Sequence, residues 1–392
     1  MTLTADLSAA RDADIVDTAP AAGTIAVTTR TVSGAEWDET IASFDGVVQE
    51  QLHAFTVRRW PQVTAEPNLF YRGDQVVGGA LVMLQPLPLG LGAIAVSKWG
   101  PMLKDSEAPN REALYMGMVE AMIADYADKR GLMLSVLPRA ALTRENPGYD
   151  LLMARGFKPG AALTFPNRYV VNVRLSDAEQ RKSFHQKWRY HLNKAEKSGL
   201  TFEHGGQERF AEFEALYAAM TDRKQFPDFS AYDTIPDLLT LPVPALRPEL
   251  FFVRHEGEVV AGAVIFKAGK TAVYLYGATN DKALPLRAGY FMQARIIAWL
   301  RDNTQADWYD LGGTDGFQGL YQFKKGLVGE AGVITPVPRV ANYAAKPLPM
   351  LIGQGAFWVR DAANNLKRVL KGAINPKSRP TQIEPDAQYL ER

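Results

Sequence analysis

NLFYRGDQVVGGALVML, Asn68 to Leu84, and ELFFVRHEGEVVAGAVIFK, Glu249 to Lys267, are two versions of one pattern: an apolar strand, a polar turn and a second apolar strand. Self-similarity on this scale points to internal duplication. The surroundings repeat as well. A helical pattern precedes each copy, Glu36 to Trp60 and Gln207 to Met220. After each copy come a further strand, an amphipathic helix (Arg111 to Lys129, and Ala288 to Asn303) and another strand (Leu132 to Leu137, and Trp308 to Leu311). Two unrelated hairpins would not carry the same neighbours in the same order. The order predicts an α+β protein whose helices pack on mixed β-sheets. The join is expected between Leu175 and Ser183, after the strand Arg168 to Val173. Residues 1–23, rich in Ala, Asp and Thr, are expected to form a flexible tail. A first domain over 24–178, a second over 179–345, and a C-terminal helix and tail over 346–392 complete the division.

At 392 residues, with 47% apolar content and a net charge of +1, the chain can bury a large core and is long enough for two domains. There is no cysteine, which removes disulfides, thiolate zinc sites and cysteine nucleophiles and is compatible with the cytoplasm. The first residues lack a basic start followed by an apolar core, and no window reaches spanning length, so neither export nor membrane spanning is expected. Balanced charge means that an anionic partner must be met by a local basic cluster. The five histidines show no metal spacing, so no catalytic metal is expected. GLGAIA from Gly90 fits a loose dinucleotide pattern but lies in a strand run, not at a strand-to-helix turn.

The richest chemical segment is ADWYDLGGTDGFQGLYQFKKGLVGE, Ala306 to Glu330: a buried strand, a glycine turn at Gly312 and Gly313, then aromatics and a lysine pair. Adjacent lysines on a short helix are commonly solvated, but their place directly after this turn argues that the segment faces a cleft. A cation aimed at a carbonyl oxygen stabilises the negative charge that grows there during acyl transfer. RKSFHQKWRYHLNKAEKSG, Arg181 to Gly199, reads as one helix. Lys187, His191, Lys194 and Lys197 fall on one face and Phe184, Trp188 and Leu192 on another, with Arg189 as a further donor. That face is either a solvated surface or an attraction for phosphates. In MTDRKQF, Met220 to Phe226, Arg223 is either a helix-end cation or a bidentate phosphate ligand. In AVYLYGATN, Ala272 to Asn280, strand alternation puts Tyr274 and Tyr276 on one side. Arg59 ends QLHAFTVRR and is a helix-end cation or a second phosphate ligand.

The segment Ala306 to Glu330 resembles the C-terminal signature of the FemABX family, aminoacyl-tRNA-dependent peptidyltransferases that extend peptidoglycan stems. There a DFGG turn precedes a G-L-Y-x-F-K-K-G element. The basic helix resembles the family's R-x-N-I-R-K-A-E-K-x-G, with Tyr190 and His191 in place of small polar residues. MTDRKQF resembles T-x-x-R-x-x-F, AVYLYGATN resembles Y-x-Y-G-A-S, and Gln51 to Arg59 resembles Q-S-x-x-W-x-x-x-K with Phe55 and Arg59 substituted. Trp99-Gly100-Pro101 is similar to an R-G-P turn that has lost its arginine. The resemblance implies two tandem acetyltransferase-like (GNAT) domains without the coiled-coil arm of some members, since Phe226 to Leu250 is short and proline-punctuated. It implies that Lys324 stabilises the oxyanion, with Lys325 on phosphate or solvent. Arg59, Lys187, Arg189, Lys194 and Arg223 would hold substrate phosphates. Tyr274, Tyr276, Asp310, Gly312, Gly313 and Tyr321 would line the substrate channel, and Asp310 and Asp315 are the nearby candidates for a base.

By the same resemblance the partners are the acceptor end of aminoacyl-tRNA, as co-substrate, and a UDP-linked or lipid-linked peptidoglycan precursor, with no bound cofactor. A monomer is expected, cytoplasmic or peripheral to the inner membrane face. Two other functions stay open. One is a coenzyme A- or acyl-carrier-dependent N-acyltransferase, for which LRAGYF from Leu286 carries an incomplete pyrophosphate loop; the other is a non-catalytic nucleotide- or RNA-binding module. The final helix, Gln354 to Lys371, puts Trp358, Ala362, Leu366 and Val369 on one stripe. Docking of that stripe on the core is the preferred expectation, contact with an anionic bilayer the other.

Overall fold

The computed structural model describes residues 23–224, 231–374 and 387–389. Among these residues fifteen strands follow one another, β1 to β15: β1 (Thr28–Thr31), β2 (Thr64–Arg72), β3 (Gln75–Pro86), β4 (Ala93–Lys98), β5 (Met102–Leu103), β6 (Met133–Leu137) and β7 (Lys158–Pro159) come first. β8 (Asn167–Asn172), β9 (Thr201–Gly205), β10 (Glu249–His255), β11 (Glu258–Phe266), β12 (Thr271–Thr279), β13 (Trp308–Asp310) and β14 (Val333–Pro336) come next, and β15 (Ala341–Tyr343) closes the series. They form two mixed sheets flanked by helices. One runs β1-β2-β3-β4-β6-β15-β7, with β5 on β3, and the other β14-β8-β13-β12-β11-β10-β9.

The duplication extends to details. Both hairpins bulge at the same place: the register shifts between Phe70 and Tyr71 opposite Val76 and Gly78, and between Val253 and Arg254 opposite Val259 and Ala261. In each, the next glycine lies under an aromatic ring from the preceding helix. A Cβ on Gly79 would come 2.6 Å from Trp37, and one on Gly262 3.0 Å from Phe213. Each sheet also contains one parallel pair, β4 with β6 and β12 with β13.

The halves are crossed. β8, at the end of the first half of the sequence, inserts between β13 and β14 of the second sheet, and β15, at the end of the second half, pairs with β6 and β7 of the first. A cut along the sequence near residue 178 therefore does not separate the sheets. One core cluster also spans both halves, with Trp37, Phe44 and Leu81 from the first and Phe213, Phe252 and Val264 from the second.

Three predicted helices differ. Glu36 to Trp60 is broken into Gly34–Ile41, a single turn Gln49–Gln51, and His53–Arg59. The Asp38 carboxylate accepts from the backbone N–H groups of His53 and Ala54 and so starts a new helix instead of continuing the old one. Arg181 to Gly199 is likewise two helices, Asp177–Ser183, opened by a Ser176/Glu179 capping box, and Gln186–Glu196. The break lets the chain at Ser183 meet Gly329, whose φ is +62° and where a Cβ would fall 2.1 Å from the Ser183 carbonyl oxygen. Gly329→Ala should cost about 2 kcal/mol or more; an unchanged urea midpoint would show that the contact yields freely.

The third difference is the last helix, Pro347–Ile374, which meets the first sheet through Gly353, where a Cβ would strike the Met133 side chain. A helix turns about 100° per residue, so Leu351, Trp358 and Ala362 fall on the far side, and all three are exposed. The expectation that the stripe docks on the core is corrected for Trp358 and Ala362; the side chains of Leu366 and Val369 lie outside the described residues. No helix among the described residues is long and apolar enough to cross a membrane.

Candidate active site

β13 ends at Asp310, and the next residue is held to β8 by Leu311 N–H donating to Tyr169 O at 2.8 Å. Gly312 then takes φ +75°, and its N–H donates to Asp310 Oδ1 at 2.8 Å. This curls the Leu311–Gly313 carbonyls toward the helix Gln318–Val328. Lys324 on that helix is 6% exposed, and its Nζ donates to Leu311 O and Gly313 O, both at 2.5 Å. An ammonium has three N–H donors. Two anchor Lys324, and the third has no partner among the described residues. Burial is the main cause pushing the Lys324 amine down to about 8, Arg168 pushes the same way, and Asp315 and Asp310 oppose them.

Around this turn the two halves meet in a group of charges. Arg168, carried by the exchanged strand β8, donates to Asp310 Oδ2 through Nε at 3.0 Å and Nη2 at 2.8 Å. From the first half, Lys98 Nζ lies 2.7 Å from Glu50 Oε1, the Trp99 indole N–H donates to the same carboxylate, and Arg139 donates to Gly46 O at 3.1 Å. Glu50, Lys98 and Arg168 keep 24%, 26% and 27% of their side chains accessible, so this group of charges is only partly buried. Burial works to raise the Glu50 carboxyl, but Lys98, the Trp99 indole and Arg168 together hold it low. Asp310 is likewise held low by Arg168 against burial. An Asp310 carboxylate paired in this way is a poor proton acceptor; of the two candidate bases, only Asp315 is exposed.

The two lysines part company. Lys325 lies over the Tyr321 ring and donates to its hydroxyl at 3.2 Å, on a different side of the helix from the buried Lys324. Gly326, next along, packs on Trp188, bringing the helix Gln186–Glu196 alongside. Lys187 and Lys194 on that helix are exposed. Arg189 Nη1 donates to Lys182 O at 2.7 Å and Phe184 O at 2.5 Å, so this side chain also ties the helix break together. The expectation that Tyr274 and Tyr276 share one side of the strand is corrected. The register shifts between them opposite Ile265 and Val264, so Tyr274 joins the second-sheet core near Tyr309 and Tyr276 the shared core beside Tyr232. Arg59 sits 3.9 Å from Asp233 of the other half. A Cβ at Gly313 would make ordinary contacts, so space alone does not demand glycine there. The Arg223 side chain lies outside the described residues.

Glu50, Lys98, Arg139 and Arg168 were not singled out in the sequence. Only Arg168 left a signal, as an arginine inside the apolar strand NRYVVNV; the other three gain meaning from crossing of the halves.

Residues 182–325 match the family model described as an acetyltransferase (GNAT) domain. No curated protein matches the chain. Among solved structures, that of FemX is 18% identical, with a TM-score of 0.66, covering 83% of this chain and 99% of its own. A C-terminal domain from Agrobacterium fabrum, named for lysylphosphatidylglycerol synthetase, is 15% identical with a TM-score of 0.51, covering 84% of this chain and 95% of its own. L-PGS from Bacillus licheniformis is 14% identical with a TM-score of 0.51, covering 82% and 95%. Together with the repeated hairpins and matching parallel strand pairs, these likenesses show that the chain has a tandem acetyltransferase-like fold, that of FemX.

Proposed function

We propose that the protein is an aminoacyltransferase that moves an amino acid from aminoacyl-tRNA to the amine of a peptidoglycan precursor stem. The single observation that carries this reading is Lys324: a buried ammonium, fixed by two carbonyls, with one N–H left over. The acceptor amine attacks the ester carbonyl, the new C–N bond forms, and the oxygen takes up negative charge within reach of that N–H. The intermediate then breaks its bond to the ribose oxygen, which leaves with a proton originating on the amine, directly or through water. No bond to the enzyme is made. The exposed Lys187 and Lys194, on the helix packed against that of Lys324, offer charge for the phosphates, and positioning supplies much of the remaining acceleration.

Incubation with charged tRNA and UDP-linked muropeptide should yield a precursor heavier by one aminoacyl residue in mass spectrometry. An adduct formed only from an acyl-coenzyme A donor would replace this reading with the N-acyltransferase one, and RNA binding with no adduct from any donor would leave a binding module.

A further inference from the structure

The helix Pro347–Ile374 carries its apolar side outward. Leu348, Leu351, Trp358 and Val359 are 65%, 67%, 72% and 60% exposed, four of the nine exposed large hydrophobic side chains among the described residues. Ala362 continues the stripe, and by sequence spacing Leu366 and Val369 extend it. The β3–β4 turn brings exposed Leu91 to the same end of the sheet: Ile94, three residues on, pairs with Met133, the residue on which Gly353 rests. Soluble monomers rarely leave so continuous an apolar stripe uncovered.

Charge decides what covers it. From Lys346 to Arg379 the sequence holds seven lysines and arginines against one acid, Asp361, in a chain whose net charge is only +1. A second copy seated on the stripe would bring two such clusters together and repel. An anionic bilayer accepts both features, the apolar side at the acyl boundary and the cations among the headgroups. We infer that this helix lies in the plane of an anionic membrane surface and holds the protein there.

Flotation of the full chain with phosphatidylcholine vesicles, alone or mixed with phosphatidylglycerol, tests this. Binding to the mixed vesicles should be at least about tenfold tighter, and should fall in about 1 M salt, where the Debye length is about 3 Å. Leu351→Glu with Trp358→Glu should weaken it at least about tenfold, with an unchanged thermal midpoint because both residues are exposed. Lys367→Glu with Lys371→Glu should remove the preference for phosphatidylglycerol. Equal binding to both vesicles, no binding to either, or a dimer in sedimentation that the Leu351/Trp358 variant dissolves would each overturn the inference.

Discussion

Lys324→Met should cut turnover by about 10²- to 10³-fold, the usual loss when one donor to a developing oxyanion is removed, while leaving the protein at least as stable near neutral pH. The two halves of that expectation share one cause. An amine held at about 8 instead of its ordinary 10.5 is a cation kept where folding disfavours it. Between those values the unfolded chain binds more protons than the folded one, so Lys324 makes stability rise with pH across the window from about 8 to 10.5. Below about 8 its full cost, about 3 kcal/mol, is present. Methionine removes that cost, offset in part because the Leu311 and Gly313 carbonyls lose their donor. Activity runs the opposite way with pH, since only the ammonium stabilises an oxyanion, and the rate should fall as pH rises through about 8. Urea midpoints beside turnover numbers check both; a Met variant with full turnover would remove Lys324 from the chemistry.

Asp310→Ala should cost about 3–5 kcal/mol, the range for removing one member of a buried ion pair. It leaves the Arg168 guanidinium without its carboxylate and the Gly312 N–H without its acceptor. Turnover should fall as well, because that N–H bond shapes the carbonyls on which Lys324 is anchored. Asp310→Asn separates the effects: an amide oxygen can still accept from Gly312 but offers Arg168 no charge, so more activity than stability should survive. Pairing Asp310→Leu with Arg168→Met should recover most of the stability and none of the turn. If Asp310→Ala unfolds at the same urea concentration as the parent, the pair is a surface contact and not the support of the turn.

Much of this architecture was legible because it is periodic. Ala288 to Asn303 was read to the residue, and the hairpin echo located both copies of the fold, since strand and helix periods survive in the sequence. What escaped depends on single deviations from a period or on distant partners. One bulge in β12 sends Tyr274 and Tyr276 to different cores, and alternation cannot register it. The Asp38 carboxylate breaks a helix from inside the previous one. Lys324 and its turn were singled out by a motif, not by a period. Arg168 and Asp310, 142 positions apart, are joined only because a strand changes sheets.

That change of sheets has a consequence for how such a molecule came to be. Two copies that each lend a terminal strand to the other have the connectivity of a domain-swapped homodimer joined into one chain. Neither half then owns a complete sheet, so neither is a free module that recombination could lift out and reuse.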